Sequence, residues 1–149
     1  MDRTANKLEE TFSSNFVSYY RSHAAHINIV GRSFYQDHKL LETIYEYFQD
    51  NIDTLGEKIR TVRGTAPSNI ATILELSTIA DRAVEGSSED YLMTVLDAID
   101  IMVDQYHELY EVAEEEKIID ISNFAQDQIG QLAKLRWQLE ATLEMIDGK

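Results

Sequence analysis

Two histidines and two carboxylates recur at regular spacing in one stretch of the chain, and their residue types are those that bind metal ions. His26 and His38 are twelve residues apart, Asp53 follows fifteen residues after His38, and Glu57 lies four residues further on. Imidazole plus carboxylate is a ligand set that proteins offer to iron or another divalent first-row metal. The pattern predicts an iron site, provided that the fold brings the four side chains together.

The length and composition are those of one globular domain spanning residues 1–149. Hydrophobic residues make up 44% of the chain and charged residues 27%, which excludes a disordered protein. One proline and six glycines leave few breaks, so the composition favours a few long helices over many short strands. The absence of cysteine excludes a disulfide framework and a thiolate metal site.

The charge balance disfavours nucleic acid as a partner. With 27 acidic and 13 basic residues, the formal net charge is −14, whereas affinity for DNA comes mainly from Lys and Arg. The N-terminal sequence MDRTANKLEETF lacks the apolar segment of a signal peptide, and no apolar run approaches the roughly 18 residues of a membrane span. These features predict a soluble, cytoplasmic protein that does not insert into membranes.

Apolar residues at helical spacing predict four long helices. The first carries apolar residues from Leu8 to Ile27 and stops at Gly31, a predicted C-cap. The second and third start at the capping-box patterns Ser33-Phe-Tyr-Gln36 and Ser87-Ser-Glu-Asp90. The second ends at Gly64, the third carries its apolar positions to Ala113, and the fourth runs from Asp120 or Ser122 to Ile146.

The connection between the second and third helices is long, and the other two are short. It runs from Gly64 to Ser87, contains Pro67, and has an apolar run from Ile70 to Ile79 that could form a short helix. A short, long, short order of connections is typical of a ferritin-like four-helix bundle with one crossover. The predicted fold is therefore all-α and ferritin-like, with a short extra helix in the crossover.

The four candidate ligands cannot meet within one chain. His38 and Asp53 lie on the same predicted helix, so their separation of fifteen residues corresponds to roughly 22 Å along its axis. Antiparallel pairing of two copies about a two-fold axis would bring the His38 end beside the partner's Asp53 end and would build two equal sites per dimer. The metal hypothesis therefore requires an oligomer.

Two simpler interpretations compete with a metal site. A histidine on an apolar helix face, such as His26, is commonly a packed core residue. Carboxylates four residues apart, such as Asp53 and Glu57, are common on solvated helices. Under these interpretations the chain would be a helical interaction module, small in solution and indifferent to metal.

The same residues carry a resemblance to the mini-ferritins called the DNA-binding protein from starved cells (Dps) family. That family's pattern H-W-N-x-x-G-x-x-F-x-x-x-H, followed by D-x-x-x-E, is matched without a gap from His26 to His38 and again from Asp53 to Glu57, except at its tryptophan. The segment around Trp137 also resembles the family's last helix. The resemblance extends over nearly the whole chain.

The resemblance implies a hollow dodecamer that oxidises Fe(II), preferably with hydrogen peroxide, stores ferric mineral and limits oxidative damage. It implies that His26 and His38 of one subunit and Asp53 and Glu57 of its two-fold partner form the iron site. Glu42 stands where the family usually has Asp, and the resemblance implies that it completes that site directly or through a water.

Two departures from the family pattern bear on iron chemistry, and a third argues against DNA binding. Ile27 replaces the Trp beside the first histidine, Lys39 stands where an acidic residue is frequent, and a basic DNA-binding tail is absent. The alternative is a shell of the same fold that lacks ferroxidase activity and serves as a DNA- or partner-binding structural protein. For Glu46 and Asp50, two roles stay open: they nucleate mineral, or they are simply solvated. For the acidic residues 114–116 and Asp120, the two open roles are the lining of a pore and simple solvation.

Overall fold

The computed structural model describes residues 1–146, and over that range the chain forms five α-helices and no strand. The predicted all-α fold, with a short helix in the long crossover, is confirmed. The helices are α1 (Asp2–Asn28), α2 (Phe34–Thr61), α3 (Ile70–Leu76), α4 (Ser88–Glu115) and α5 (Ile119–Thr142).

The four long helices form a bundle in which neighbouring helices run antiparallel. Short turns join α1 to α2 and α4 to α5, and side-chain contacts establish the directions of the other two neighbouring pairs. Within each pair of helices, the contacts move towards the end of one helix as they move towards the start of the other. These contacts are Thr4–Glu116 and Ser14–Gln105 between α1 and α4, and Asn51–Gln128 and Lys58–Asp120 between α2 and α5.

The crossover runs the length of the bundle, because α2 ends and α4 begins at opposite ends. Gly64, just after α2, lies against Ala5 near the start of α1, whereas Gly31 in the α1–α2 turn lies beside Ser88 at the start of α4. Between these ends, α3 packs on α1, and its Ile73 side chain is buried. A direct turn of a few residues could not span that distance, which is why the bundle needs the long link.

The core is built mainly from the predicted apolar positions of α2, α4 and α5. On α1, the apolar stripe predicted from Leu8 to Ile27 is only partly buried, because Tyr20 and Ile27 within it are 61% and 60% exposed. The buried face of α1 instead includes small polar residues whose hydroxyl groups donate to the backbone carbonyl four residues earlier; these are Thr11, Ser13, Ser18 and Ser22. Among the described residues, no helix is long and apolar enough to cross a membrane.

The helix starts follow the predicted capping boxes in one case out of two. At the start of α4, the Ser87 side chain accepts from the Asp90 N–H, and the Asp90 carboxylate accepts from the Ser87 N–H at 2.7 Å, which confirms the box. Ser33 does precede α2, but its side chain makes no capping hydrogen bond, so the box predicted with Gln36 is wrong. Ser33 has φ −97° and ψ 22°, outside the extended region from which a serine side chain reaches back to the helix.

The helix ends lie a few residues before the predicted glycines. Helix α1 ends at Asn28 with Ile29 as its C-cap, so Gly31 is not the cap. Gly31 does occupy the left-handed region, with φ +134°, and so lets the chain reverse between α1 and α2. Helix α2 ends at Thr61, three residues before Gly64.

Candidate metal centre

The two predicted histidine ligands face each other across the α1–α2 turn. His26 lies in the last turn of α1 and His38 in the second turn of α2, and each ring bonds to the other residue's backbone. The Nδ1 atom of His26 lies 2.7 Å from the His38 carbonyl oxygen, and the Nδ1 atom of His38 lies 2.7 Å from the His26 carbonyl oxygen. Their rings stack with centroids 3.7 Å apart and planes 15° from parallel. We call this pair the histidine half-site.

These reciprocal bonds fix which nitrogen of each ring can bind a metal. A carbonyl oxygen only accepts hydrogen bonds, so the Nδ1 atom of both His26 and His38 must carry the hydrogen and donate. In a neutral imidazole that leaves a lone pair on Nε2. Metal-binding histidines commonly have this arrangement, with the other ring nitrogen donating to a backbone carbonyl.

Aromatic rings surround the histidine half-site, and the sequence interpretation missed their contribution. Phe34 stacks on His38 with centroids 4.9 Å apart, and the Tyr45 ring meets His26 edge-on at 5.0 Å. Burial and the neighbouring carboxylates raise the pKa of Tyr45. Because Tyr45 is seven residues after His38, two helical turns along the same face of α2, its position was available from spacing alone.

His23 is held by tyrosines and does not join the histidine half-site. Its Nδ1 atom lies 2.8 Å from the Tyr19 hydroxyl oxygen. Its ring stacks on Tyr45 at a centroid distance of 3.9 Å, with the planes 4° from parallel. These contacts favour a packing role for His23 over that of an accessory ligand.

The predicted carboxylate ligands lie elsewhere on α2 and are exposed. Helix α2 continues unbroken from Phe34 to Thr61, so the fifteen residues between His38 and Asp53 correspond to roughly 22 Å. Asp53 and Glu57, which we call the carboxylate half-site, are one turn apart and both open to solvent. Within residues 1–146, no three His, Asp or Glu side chains converge as a metal site. One chain thus brings the two histidines together but leaves the carboxylates apart from them.

Glu42 lies one turn after His38 and is partly exposed. Its carboxylate oxygen is 3.5 Å from the Lys39 ammonium nitrogen, so the lysine of this chain contacts the residue that would complete the site. Further along α2, Glu46 and Asp50 are exposed and line an open groove between α2 and α5, together with Lys134 of α5.

The acidic residues near the α4–α5 turn form ion pairs with other helices. Glu116 accepts from the Thr4 hydroxyl at 2.6 Å and lies 2.8 Å from the N-terminal ammonium of Met1, and these contacts lower the pKa of Glu116 to about 2. Asp120 pairs with Lys58 at 3.0 Å. In one chain these residues therefore tie helices together.

Relatives of this chain are found by sequence and by structure. The family model for the ferritin-like domain matches residues 5–148. The DNA protection during starvation protein of Helicobacter pylori is 28% identical over 142 residues, which is 95% of this chain and 99% of that protein. The protein of the same name from Brevibacillus brevis is 27% identical over 128 residues, 86% of each chain.

A solved structure has the same fold over almost the whole chain. The crystal structure of the Dps protein from Vibrio cholerae matches with a TM-score of 0.90 and 27% identity, covering 95% of this chain and 89% of that one. It is described as a member of a broad superfamily of ferritin-like diiron-carboxylate proteins. The helix order, the crossover, the family model and these relatives agree, and the chain belongs to the Dps family of the ferritin-like superfamily.

Proposed function

We propose that this protein is a ferroxidase and iron-storage mini-ferritin. It oxidises Fe(II), with hydrogen peroxide or oxygen, at sites shared between two-fold-related subunits, and stores ferric mineral inside a hollow dodecamer. Membership of the ferritin-like superfamily supports iron chemistry in general. The observation that carries the specific proposal is the histidine half-site, in which two imidazoles are fixed with Nε2 available as a ligand atom.

A two-fold dimer would complete this site. Helix α2 carries His38 near one end and the carboxylate half-site near the other. When two copies of α2 pair antiparallel, the histidine half-site of one subunit lies near Asp53 and Glu57 of its partner, and the contact repeats to give two equal sites. Glu42, one turn from His38, would contribute an oxygen ligand after releasing Lys39.

The stacking of His26 and His38 favours two adjacent ions over one. Each Nε2 lone pair lies in the plane of its ring, and the two planes are only 15° from parallel. One ion bound by both rings would have to lie in both planes. Because the planes are nearly parallel, they do not intersect within the roughly 2 Å of a metal–imidazole bond. Each ring would therefore bind its own ion, and the ring separation of 3.7 Å is close to the 3.5–4 Å spacing of two-metal sites. The Vibrio cholerae relative is described as a diiron-carboxylate protein, which is consistent with this.

Two irons match the electron demand of peroxide. Two Fe(II) ions each give one electron, two protons come from solvent, and the peroxide O–O bond breaks to give two waters and two Fe(III) ions. The carboxylates favour Fe(III), because oxygen ligands prefer the harder, more highly charged ion. Removing Fe(II) and peroxide together limits oxidative damage. Glu46 and Asp50, exposed on α2, are the proposed nucleation residues for mineral.

Mixing two inactive variants tests whether the site is shared. One variant, His26→Ala/His38→Ala, lacks the histidine half-site, and the other, Asp53→Ala/Glu57→Ala, lacks the carboxylate half-site. When they are denatured, mixed equally and refolded, half of the dimers combine one of each. One of the two sites in such a dimer has all four ligands, so about a quarter of the wild-type rate of ferric absorbance should return.

The controls separate the proposal from its rivals. Each variant refolded alone should be inactive. Its mass, measured by light scattering, should nevertheless be that of about twelve subunits. If each variant is inactive alone and their mixture is inactive as well, the result contradicts a shared site. A correct shell without iron oxidation in the wild type would favour the alternative, a shell without ferroxidase activity, and a gel shift would test DNA binding. A monomer would contradict both.

A further inference from the structure

A cavity of about 540 Å³ opens between α1, α3, the crossover and the first turns of α4. Its volume falls within the roughly 300–1,000 Å³ that is usual for small-molecule sites. We call it the crossover cavity. No residue of α2 or α5 lines it, so it is separate from both half-sites, and a pairing of two subunits through α2 would not by itself cover it.

The crossover cavity has an apolar floor and collects large apolar side chains at its rim. Val17 and Ala25 of α1 line it and are buried. Tyr20 of α1 also lines it but is exposed, as are Ile70 and Leu74, which lie one turn apart on α3. Exposed apolar surface that is gathered in one place marks a binding site more often than scattered apolar residues do. A ligand of this cavity therefore needs an apolar body.

Two arginines give the lining an excess of positive charge. Arg21 is partly buried and donates to the carbonyl oxygen of Ala80, whereas Arg82 is exposed. Burial and the nearby charge of Arg82 lower the pKa of Arg21, and Asp81 and Asp97 act in the opposite direction. Among residues 1–146, neither arginine forms an ion pair, and Asp81 is the one carboxylate that lines the cavity. An anionic group would balance this excess.

We propose that the crossover cavity binds a small molecule with an apolar body and one carboxylate group. The apolar body covers the exposed side chains of α1 and α3, and the carboxylate accepts hydrogen bonds from the guanidinium group of Arg82. Arg21, which is fixed by its bond to the crossover, contributes charge. A small hydrophilic anion would leave the apolar rim in water, and a neutral apolar molecule would leave the positive charge unbalanced. This binding does not depend on iron or on the proposed function.

Calorimetric titration of the assembled, iron-free protein with sodium decanoate tests the proposal. We expect saturable binding of one molecule per chain. Decanol, which lacks the charge, and butyrate, which lacks most of the apolar body, should both bind more weakly. Titration with 2-naphthoate replaces the flexible chain by a flat ring, and the tighter of the two carboxylates identifies an aliphatic or an aromatic ligand. No saturable binding of either carboxylate would overturn the proposal.

Charge variants test where the carboxylate binds. Arg82→Gln should weaken decanoate binding about tenfold, because it removes a charge-assisted hydrogen bond. Asp81→Asn should strengthen binding, because it removes the one acidic side chain of the lining. The matched control is Arg63→Gln, since Arg63 is exposed just after α2 and lies outside the cavity. Equal affinities of Arg82→Gln and Arg63→Gln would overturn the proposal.

A filled cavity tests where the apolar body binds. Ala24 lines the cavity, and Ala24→Phe should occupy it and abolish decanoate binding. Circular dichroism and light scattering check that this variant folds and assembles. Wild-type affinity in a folded Ala24→Phe would show that the ligand binds elsewhere. A change of particle mass would show that this face is an interface between copies of the chain, and either result would overturn the proposal. Arg82→Gln decides the question if Ala24→Phe does not fold.

Discussion

The two half-sites on α2 differ in how their side chains are held. In the histidine half-site, His26 is 8% exposed, and both rings are fixed by backbone hydrogen bonds, by stacking and by flanking aromatic rings. In the carboxylate half-site, Asp53 and Glu57 are open to solvent. One half is thus organised within the chain, whereas the other would gain its surroundings only in the proposed assembly. Loss of the first half should therefore affect stability and activity, and loss of the second should affect activity alone.

The largest combined effect is expected for His26→Ala. The substitution removes the ring stack and the bond to the His38 carbonyl, which should lower the free energy of unfolding by about 2 kcal/mol as well as abolish rapid iron oxidation. Urea unfolding and ferric absorbance measure the two effects. An unchanged unfolding midpoint would show that the histidine half-site is not internally organised.

The double variant Asp53→Ala/Glu57→Ala should lose iron oxidation to a similar extent without a loss of stability. Both residues are exposed, so the free energy of unfolding should stay within about 0.5 kcal/mol of the wild type. The matched control is Asp104→Ala, since Asp104 is an exposed carboxylate on α4 outside both half-sites. This control should retain wild-type oxidation. Equal destabilisation by the double variant and by His26→Ala would remove the contrast between the half-sites.

A smaller effect should distinguish two serines that precede helices. Ser87→Ala breaks a complete capping box and should cost about 1 kcal/mol of unfolding free energy. Ser33→Ala, just before the helix that carries both half-sites, should cost much less, because the Ser33 side chain makes no capping hydrogen bond. Equal costs in thermal or urea unfolding would show that the Ser33 side chain caps α2 after all.

The smallest effect concerns the opposite end of the bundle and depends on pH. The contacts of Glu116 lower its pKa from 4.5 to about 2 in the folded chain. A depressed carboxyl pKa stabilises the fold above the unfolded value, and this contribution is lost as the pH falls from about 4.5 towards 2. Glu116→Gln should therefore show a smaller fall of the thermal midpoint than the wild type between pH 4.5 and pH 2. The control is Glu114→Gln, because Glu114 is an exposed neighbour, and it should behave like the wild type. An identical decline in Glu116→Gln and wild type would contradict this assignment.

Spacing predicted the helices and the crossover well, because both follow from apolar periodicity and from where Pro67 and the glycines interrupt it. It also predicted that His38 and Asp53 lie on one helix, which the unbroken α2 confirms. That these residues ligate a metal stays a prediction, since it depends on a second copy of the chain.

Periodicity failed on α1 because this helix contacts α2, α3 and α4. Such a helix buries more than one stripe of side chains. Where neighbouring helices approach it closely, small residues are favoured. Ser18 and Ser22 therefore lie in the interior, where each donates to a carbonyl of its own helix and so leaves no buried donor unpaired. Hydrophobicity alone gives no sign of such positions. The capping box at Ser33 failed because its sequence pattern does not specify backbone angles.

The reciprocal bonds of the histidine half-site also bear on the order of folding. They join residues only twelve apart in sequence, whereas the contacts between α1 and α4 join residues about ninety to over a hundred apart. Closing a short loop costs less conformational entropy than closing a long one. The α1–α2 hairpin can therefore form before the crossover brings α4 and α5 into the bundle. In that hairpin both imidazoles already have their stacked arrangement. The ligand geometry would then be an early product of folding, already present when subunits meet.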